Sequence, residues 1–362
     1  VELALRRAWP RRGRHLLLEY LDPDGRVWAG QWYGDKAQGH LERLARDTRA
    51  AAPHHPVEVV AERRLVVQGE GADRRLAALA DLAAPSSARL VTHRAERRAV
   101  VQIDDGAAYA KVVAPHKAPS VAHSGRLAAG LGALRAPRLV SADSDRGISV
   151  WEALHGRSLH ELGDDAPEEA WVAVGESLRL LHHTPPPPGL PVHGAGEELA
   201  VLATWFERLA TFEPEEAAGR RHHLDKIGRM LSQGSTASVL IHRDLHDKQL
   251  LVDRSRNLGW IDFDTLSVGE AAIDLANLTV HLDLRVAQGR LSQPAAMRAA
   301  QAVITGYRPE AEVRRRVVAY AAATRLRLFC LYAFRPRTLA PAWLDRTDGA
   351  TDVVTGSVPS AR

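Results

Sequence analysis

The stretch from Val239 to Asp264 constrains this chain more than any other. It reads VLIHRDLHDKQLLVD, a polar break over Arg254 to Asn257, then LGWIDFD. Apolar triplets (Val239-Leu240-Ile241 and Leu250-Leu251-Val252) bracket one group of carboxylates. Trp260-Ile261 leads into a second, with Asp262 falling 18 residues after Asp244. A carboxylate lodged between buried apolar runs is expensive unless it is paired or binds a metal. The flanking runs are short and β-like. The chain must therefore bury short strands while leaving their carboxylate-bearing ends to a partner, which marks a candidate site.

The rest of the composition narrows the setting. A length of 362 residues suggests roughly two domains and a core that needs no staple. The single cysteine, Cys330, excludes a disulfide scaffold, a cysteine zinc site and a CxxC redox site. No apolar run is long enough to span a bilayer, so no membrane partner is expected. Val1 to Arg14 is rich in arginine and lacks the apolar stretch of a secretion signal, so the cytoplasm is expected. A formal charge of +4 does not call for nucleic acid. Lysine occurs only at 36, 111, 117, 226 and 248. The bias to arginine and alanine is that of a GC-rich bacterial genome, so each lysine is more informative than usual.

Along the chain, β-rich sequence precedes α-rich sequence. The first 70 residues read as strands and turns, including HLLLEYL, Asp22-Pro23-Asp24-Gly25 and RVWAGQWY as a hairpin. A similar hairpin follows through Asp104-Asp105-Gly106 into AAYAKVV. Trp28-Ala29 and Tyr109-Ala110 correspond, with Lys111 after the second alanine and Gly30 after the first, which suggests a degenerate repeat. Helices are expected over Asp73–Leu82, Val121–Arg135, Pro167–His183, Glu197–Leu209 and Ala217–Leu231, and from Asp274 to about Arg335. The third carries an apolar stripe of Trp171, Val174, Leu178 and Leu181 and stops at the proline run from Pro185. This pattern predicts an α+β protein with a small sheet lobe and a larger helical lobe.

The carboxylate segment suits phosphoryl transfer. That reaction needs one carboxylate to orient the attacking hydroxyl. It also needs a carboxylate and an amide oxygen to hold Mg²⁺ on the nucleotide phosphates. Counting five on from Asp244, as the kinase catalytic loop does, gives Gln249. HRDLHDKQ and IDFDTLSVGEAAIDLA, the latter including Gly269, Glu270, Asp274, Leu275 and Ala276, resemble the catalytic and metal loops of the aminoglycoside phosphotransferase and choline kinase branch of the protein-kinase-like fold. Tyr109-Ala110-Lys111 is similar to that family's lysine strand. WEALHGRSL from Trp151 is similar to its hinge, and VGESLRLLH from Val174 to its helix ending in LH. The resemblance spans about residues 86 to 335.

It implies a bilobal kinase-like fold: a β-rich extension over 1–75, a sheet lobe over 86–150, a hinge at 151–156, a helical lobe over 157–346 and a frayed tail at 347–362. It implies Asp244 as catalytic carboxylate, Gln249 and Asp262 as Mg²⁺ ligands, Lys111 on the α- and β-phosphates, and the backbone of Glu152 and Leu154 against adenine. His246 and Asp274 would brace the catalytic loop, with His242 and Asp264 alongside. His281 and Asp283 are candidate substrate contacts. The implied activity is an ATP- or GTP-dependent kinase of a small-molecule hydroxyl on an aminoglycoside, sugar, amino sugar or amino alcohol, with nucleotide and small molecule as its only expected partners.

Three departures stand out. Gln249 replaces Asn, Arg243 replaces Gly, and no Asp or Glu lies between Asp105 and Asp143 to pair with Lys111 from the following helix. They motivate the alternative of a catalytically weak kinase-like binding protein. A protein kinase ranks below both, since no G-x-G-x-x-G precedes Lys111. A His-Asp metal phosphohydrolase reading of His246-Asp247 fails because the flanks are β-like.

Overall fold

The structure is a computed structural model that describes residues 2–35, 38–132, 134–346 and 349–356. It divides into two compact units. One comprises residues 1–123, 138–153 and 331–338; the other comprises 124–137, 154–330 and 339–362.

The first unit holds two sheets. Strands β1 (Ala4–Arg11), β2 (His15–Leu21) and β3 (Val27–Tyr33) precede helix α1 (Gln38–Ala51), then β4 (Val57–Val60) and β5 (Leu65–Gln68). A short helix α2 (Ala78–Ala83) leads to β6 (Arg89–Arg94), β7 (Arg98–Ile103) and β8 (Ala108–Val113). Helix α3 (Ala118–Gly130), β9 (Leu139–Asp143) and β10 (Ile148–Glu152) follow. The strand orders are β1-β2-β3-β5-β4 and β6-β7-β8-β10-β9, all neighbours antiparallel. Each sheet is thus three meandering strands, a helix, and a returning strand pair. The β2–β3 turn closes as its composition dictates, with Asp22 Oδ1 accepting from the amides of Asp24 and Arg26 and Gly25 at φ +78. The sheets share a core in which Val27 of the first packs with Leu79, Leu90, Val101, Ala110 and Val112.

Helix α1 corrects the reading of the first 70 residues as strands and turns alone. Its Leu41, Leu44, Ala45 and Thr48 recur at helical spacing and are buried, packing against Tyr33, Val57 and Val66. Helix α3 begins and ends earlier than the expected 121–135.

In the second unit, β11 (Arg157–Ser158) and helix α4 (Leu159–Leu162) precede α5 (Glu168–His183). After β12 (Val192–His193) come α6 (Ala195–Phe212) and α7 (Pro214–Ser232). The strands β13 (Ser238–Ile241), β14 (Leu250–Val252), β15 (Leu258–Trp260) and β16 (Ser267–Glu270) lead into α8 (Ala272–Ala287), α9 (Gln293–Tyr307), α10 (Ala311–Tyr332) and α11 (Ala350–Thr355). Two three-stranded sheets, β11-β14-β15 and β12-β16-β13, frame the carboxylate loops. Every residue of α8 from Ala272 to Arg285 is buried, so that helix forms the spine of the unit. Helix α11 corrects part of the frayed-tail expectation: Ala350, Thr351 and Val354 are buried. Residues 347–348 and 357–362 of that tail lie outside the described residues.

Candidate active site

Two loops carry the carboxylates, and the fold ties them together at three points. Residues 242–249 follow β13, and residues 261–265 follow β15. Pairing of β14 with β15 brings the Ile261 amide onto the Gln249 carbonyl at 3.0 Å. The His242 ring donates through Nε2 to the Ile261 carbonyl at 3.1 Å, a bond that fixes its tautomer. Thr265 Oγ1 donates to the His242 carbonyl at 2.9 Å. Asp244, Gln249 and Asp262 therefore belong to one rigidly linked pair of loops, with Asp264 in the short helical turn after Asp262.

The loop over residues 242–249 is also held from behind. Asp274 is fully buried on the first turn of α8 and accepts from the amides of His242 at 2.8 Å and Arg243 at 2.7 Å. His182 of α5 reaches the same carboxylate at 3.2 Å and contacts the Tyr307 hydroxyl at 2.7 Å. Asn277 donates to the Arg243 carbonyl at 2.5 Å. These contacts hold Arg243 at φ +72 and Asp262 stands at φ +67, left-handed conformations that non-glycine residues adopt only under constraint.

Gln249 is almost fully buried, and its Oε1 accepts from the His246 amide at 3.2 Å. One lone pair on that oxygen is thus committed to the loop and one is left. An amide oxygen and a carboxylate are hard donors, the kind Mg²⁺ takes when nucleotide phosphates and water complete its shell. Among the described residues no three His, Cys, Asp or Glu side chains gather into a cage that could hold a metal alone. The donor set fits a metal that arrives with a phosphate ligand.

Sequence reasoning missed the support under this loop. Asp247 is buried and takes both Nε and Nη2 of Arg285 at 2.8 Å, with His160 Nδ1 at 2.8 Å. Burial alone would raise the Asp247 pKa, but the hydrogen bonds from His160 and Arg285 outweigh it and hold the carboxyl well below its ordinary range. The missed signal was Arg285 itself, the one basic side chain on that buried helix apart from His281. His281 hydrogen-bonds the Asn277 carbonyl through Nδ1 at 2.7 Å, and its ring lies 4.9 Å from that of His246. Asp283 accepts from Arg325 at 2.9 Å, the Ala350 amide at 2.6 Å and Thr351 at 2.8 Å, so it anchors α11. Neither residue is carried forward as a substrate contact.

In the other unit, Lys111 stands mid-strand on β8, opposite Val100 of β7 and Ser149 of β10, between the fully buried Ala110 and Val112. The Glu152 amide, at the end of β10, donates to the Arg138 carbonyl at 3.0 Å. One of the boundaries between the two units falls between Ala153 and Leu154.

Residues 84–317 match the family model described as the phosphotransferase enzyme family. No curated protein matches the chain. Among solved structures, spectinomycin phosphotransferase APH(9)-Ia, in complex with ADP and spectinomycin, aligns with a TM-score of 0.53 at 13% identity. That alignment covers 75% of this chain and 93% of that one. Aminoglycoside phosphotransferase APH(3'')-Id from Streptomyces rimosus gives 0.50 at 22% identity over 67% and 94%. The ethanolamine kinase of Plasmodium vivax gives 0.51 at 11% identity over 90% and 94%.

Proposed function

We propose a reaction for this chain from one premise: it belongs to the phosphotransferase enzyme family. The reaction is transfer of the γ-phosphate of ATP, with GTP as the other candidate donor, to a hydroxyl of a small molecule. The observation that carries this reading is the linkage of the two loops, which keeps Asp244, Gln249 and Asp262 in fixed relation. The solved spectinomycin phosphotransferase of similar fold is in complex with ADP and spectinomycin, which supports the same reading.

Asp244 orients the acceptor hydroxyl and accepts its proton as it attacks the γ-phosphorus in line. The bond to the bridging oxygen of ADP breaks as the new ester forms. Asp274, through the amides of His242 and Arg243, fixes the loop that presents Asp244. Gln249 and Asp262 are the ligands for Mg²⁺, which supplies charge neutralisation on the phosphates when bound. Lys111 contacts the α- and β-phosphates. The Glu152 carbonyl and the backbone of Leu154 meet the adenine. Aminoglycosides, sugars, amino sugars and amino alcohols are the acceptor classes to screen, in the cytoplasm of a bacterial cell.

Thermal unfolding with ATP or GTP, with and without Mg²⁺, tests the reading. The wild type should gain stability from nucleotide only when Mg²⁺ is present, and Asp262→Ala should lose that gain while melting at a similar temperature alone. No shift with either nucleotide would leave a kinase-like binding protein as the better account.

A further inference from the structure

The two sheets of the first unit have the same topology. Both run three antiparallel strands, a helix, then a strand pair inserted in the same order. Superposing the strand patterns sets Trp28-Ala29-Gly30 on Tyr109-Ala110-Lys111, with Ala29 and Ala110 both fully buried. The first sheet has Gly30 where the second has its lysine. A side chain could not leave that position freely, because a Cβ on Gly30 would lie 2.9 Å from the Tyr20 ring. The N-terminal sheet thus repeats the lysine sheet without its lysine.

What it does instead is grip the β6–β7 hairpin. In kinase-like folds the hairpin before the lysine strand covers the nucleotide phosphates, and glycines make it mobile. Here the turn is Ala95-Glu96-Arg97, and it is held in three ways. Ala95 is fully buried among Trp9, Leu17 and Ala29 of the first sheet. The Glu96 carboxylate takes Arg74 Nε at 2.6 Å, Arg75 Nε at 3.3 Å and Gln31 Nε2 at 3.3 Å. The Glu96 amide, at φ +58, donates to Asp73 Oδ2 at 2.6 Å. Asp73 also takes His93 Nε2 at 2.9 Å, with both side chains fully buried. One strand residue further back, Glu19 of β2 accepts from the His93 amide at 2.9 Å and from Thr92 Oγ1 at 2.7 Å.

We propose that the N-terminal sheet is a splint for the β6–β7 hairpin, with Glu96 as the positioning residue, so that this chain meets nucleotide with a hairpin already fixed in place. The functional half of this inference rests on the kinase reading above. A mobile hairpin must lose conformational freedom when nucleotide binds, and a splinted one has lost it during folding. The gain should therefore lie in nucleotide affinity and leave the acceptor untouched.

Hydrogen exchange at the amides of residues 94–98 and steady-state kinetics test it together, on wild type, Glu96→Ala, Arg74→Met and the conservative Glu96→Gln. In the free wild type these amides should be protected, and added ATP should change them little. Glu96→Ala and Arg74→Met should expose them and raise the nucleotide KM about tenfold, with acceptor KM and kcat nearly unchanged. Glu96→Gln should fall between. Wild-type amides that exchange as fast as those of Glu96→Ala would overturn the splint. So would exposed amides in a variant whose nucleotide KM has not moved. Absence of nucleotide binding by the wild type would instead sink the kinase reading, and the exchange data would then decide the splint by themselves.

Discussion

Gln249 shows how much one methylene can matter. Its amide oxygen is shared between the loop, through the His246 amide, and any ligand that arrives. An Asn side chain is too short to keep that loop contact and reach the same point. Gln249→Asn should therefore raise the Mg²⁺ concentration needed for half-maximal rate by roughly tenfold, an expected effect of losing one ligand's placement. A magnesium titration of initial rates checks this, and an unchanged midpoint would remove Gln249 from the ligand set. Sequence spacing was enough to single out Asp244, Gln249 and Asp262. It was silent on Asp247, because a residue's value as an anchor depends on Arg285, 38 positions away, and on His160, 87 positions away.

At the level of elements, the site depends on buried polar and backbone contacts between helices and loops. Breaking the Asp247–Arg285 pair by removing the arginine leaves the buried carboxylate with His160 but without its cation. Arg285→Met should cost about 3–5 kcal/mol in chemical denaturation. Adding Asp247→Asn to it should recover part of that loss, and two additive penalties would show that the residues do not act as a pair. Helices α5 and α9 touch through reciprocal glycines. A Cβ on Gly175 would run into the Val303 carbonyl oxygen, and one on Gly306 into the Val172 carbonyl oxygen. Because backbone cannot move aside as a side chain can, Gly175→Ala should destabilise by about 3 kcal/mol and lower Tm by roughly 6–12 °C. A melt within a degree of wild type would mean that the helices separate readily. The α5 stripe of Trp171, Val174, Leu178 and Leu181 was legible from its period. The glycine contact was not, since glycine adds nothing to a hydrophobic pattern.

For the molecule as a whole, each unit carries a histidine that the fold keeps neutral. Burial lowers the His15 pKa to about 4, against the pull of Glu96 and with Arg11 and His40 adding to the drop; Gln31 and the stacked Tyr33 ring complete its surroundings. Burial also takes His281 well below its ordinary value, reinforced by His246 and Arg285 and opposed by the Asn277 carbonyl and Asp247. An unfolded histidine binds a proton near pH 6.5, whereas these folded sites refuse it. Stability is then complete above that pH and declines as pH falls from there toward the lowered values. Tm should drop between about pH 7.5 and pH 5, with a shallower drop in His15→Phe and in His281→Phe. A flat wild-type profile would mean that both rings take up protons within the fold. By itself the sequence determined the fold class and the order of β-rich before α-rich segments, and it proposed the carboxylate pair with its amide, because period and local spacing are properties of neighbouring residues. Even the repeat announced itself faintly in Trp28-Ala29 and Tyr109-Ala110. Only the tertiary structure decided that the first sheet copies the topology of the second, that Glu96 is gripped by Arg74, Arg75 and Gln31, and that Asp283 anchors α11. Each of those depends on side chains far apart in sequence meeting in a buried place, where an unpaired charge is costly and a partner settles what the residue does.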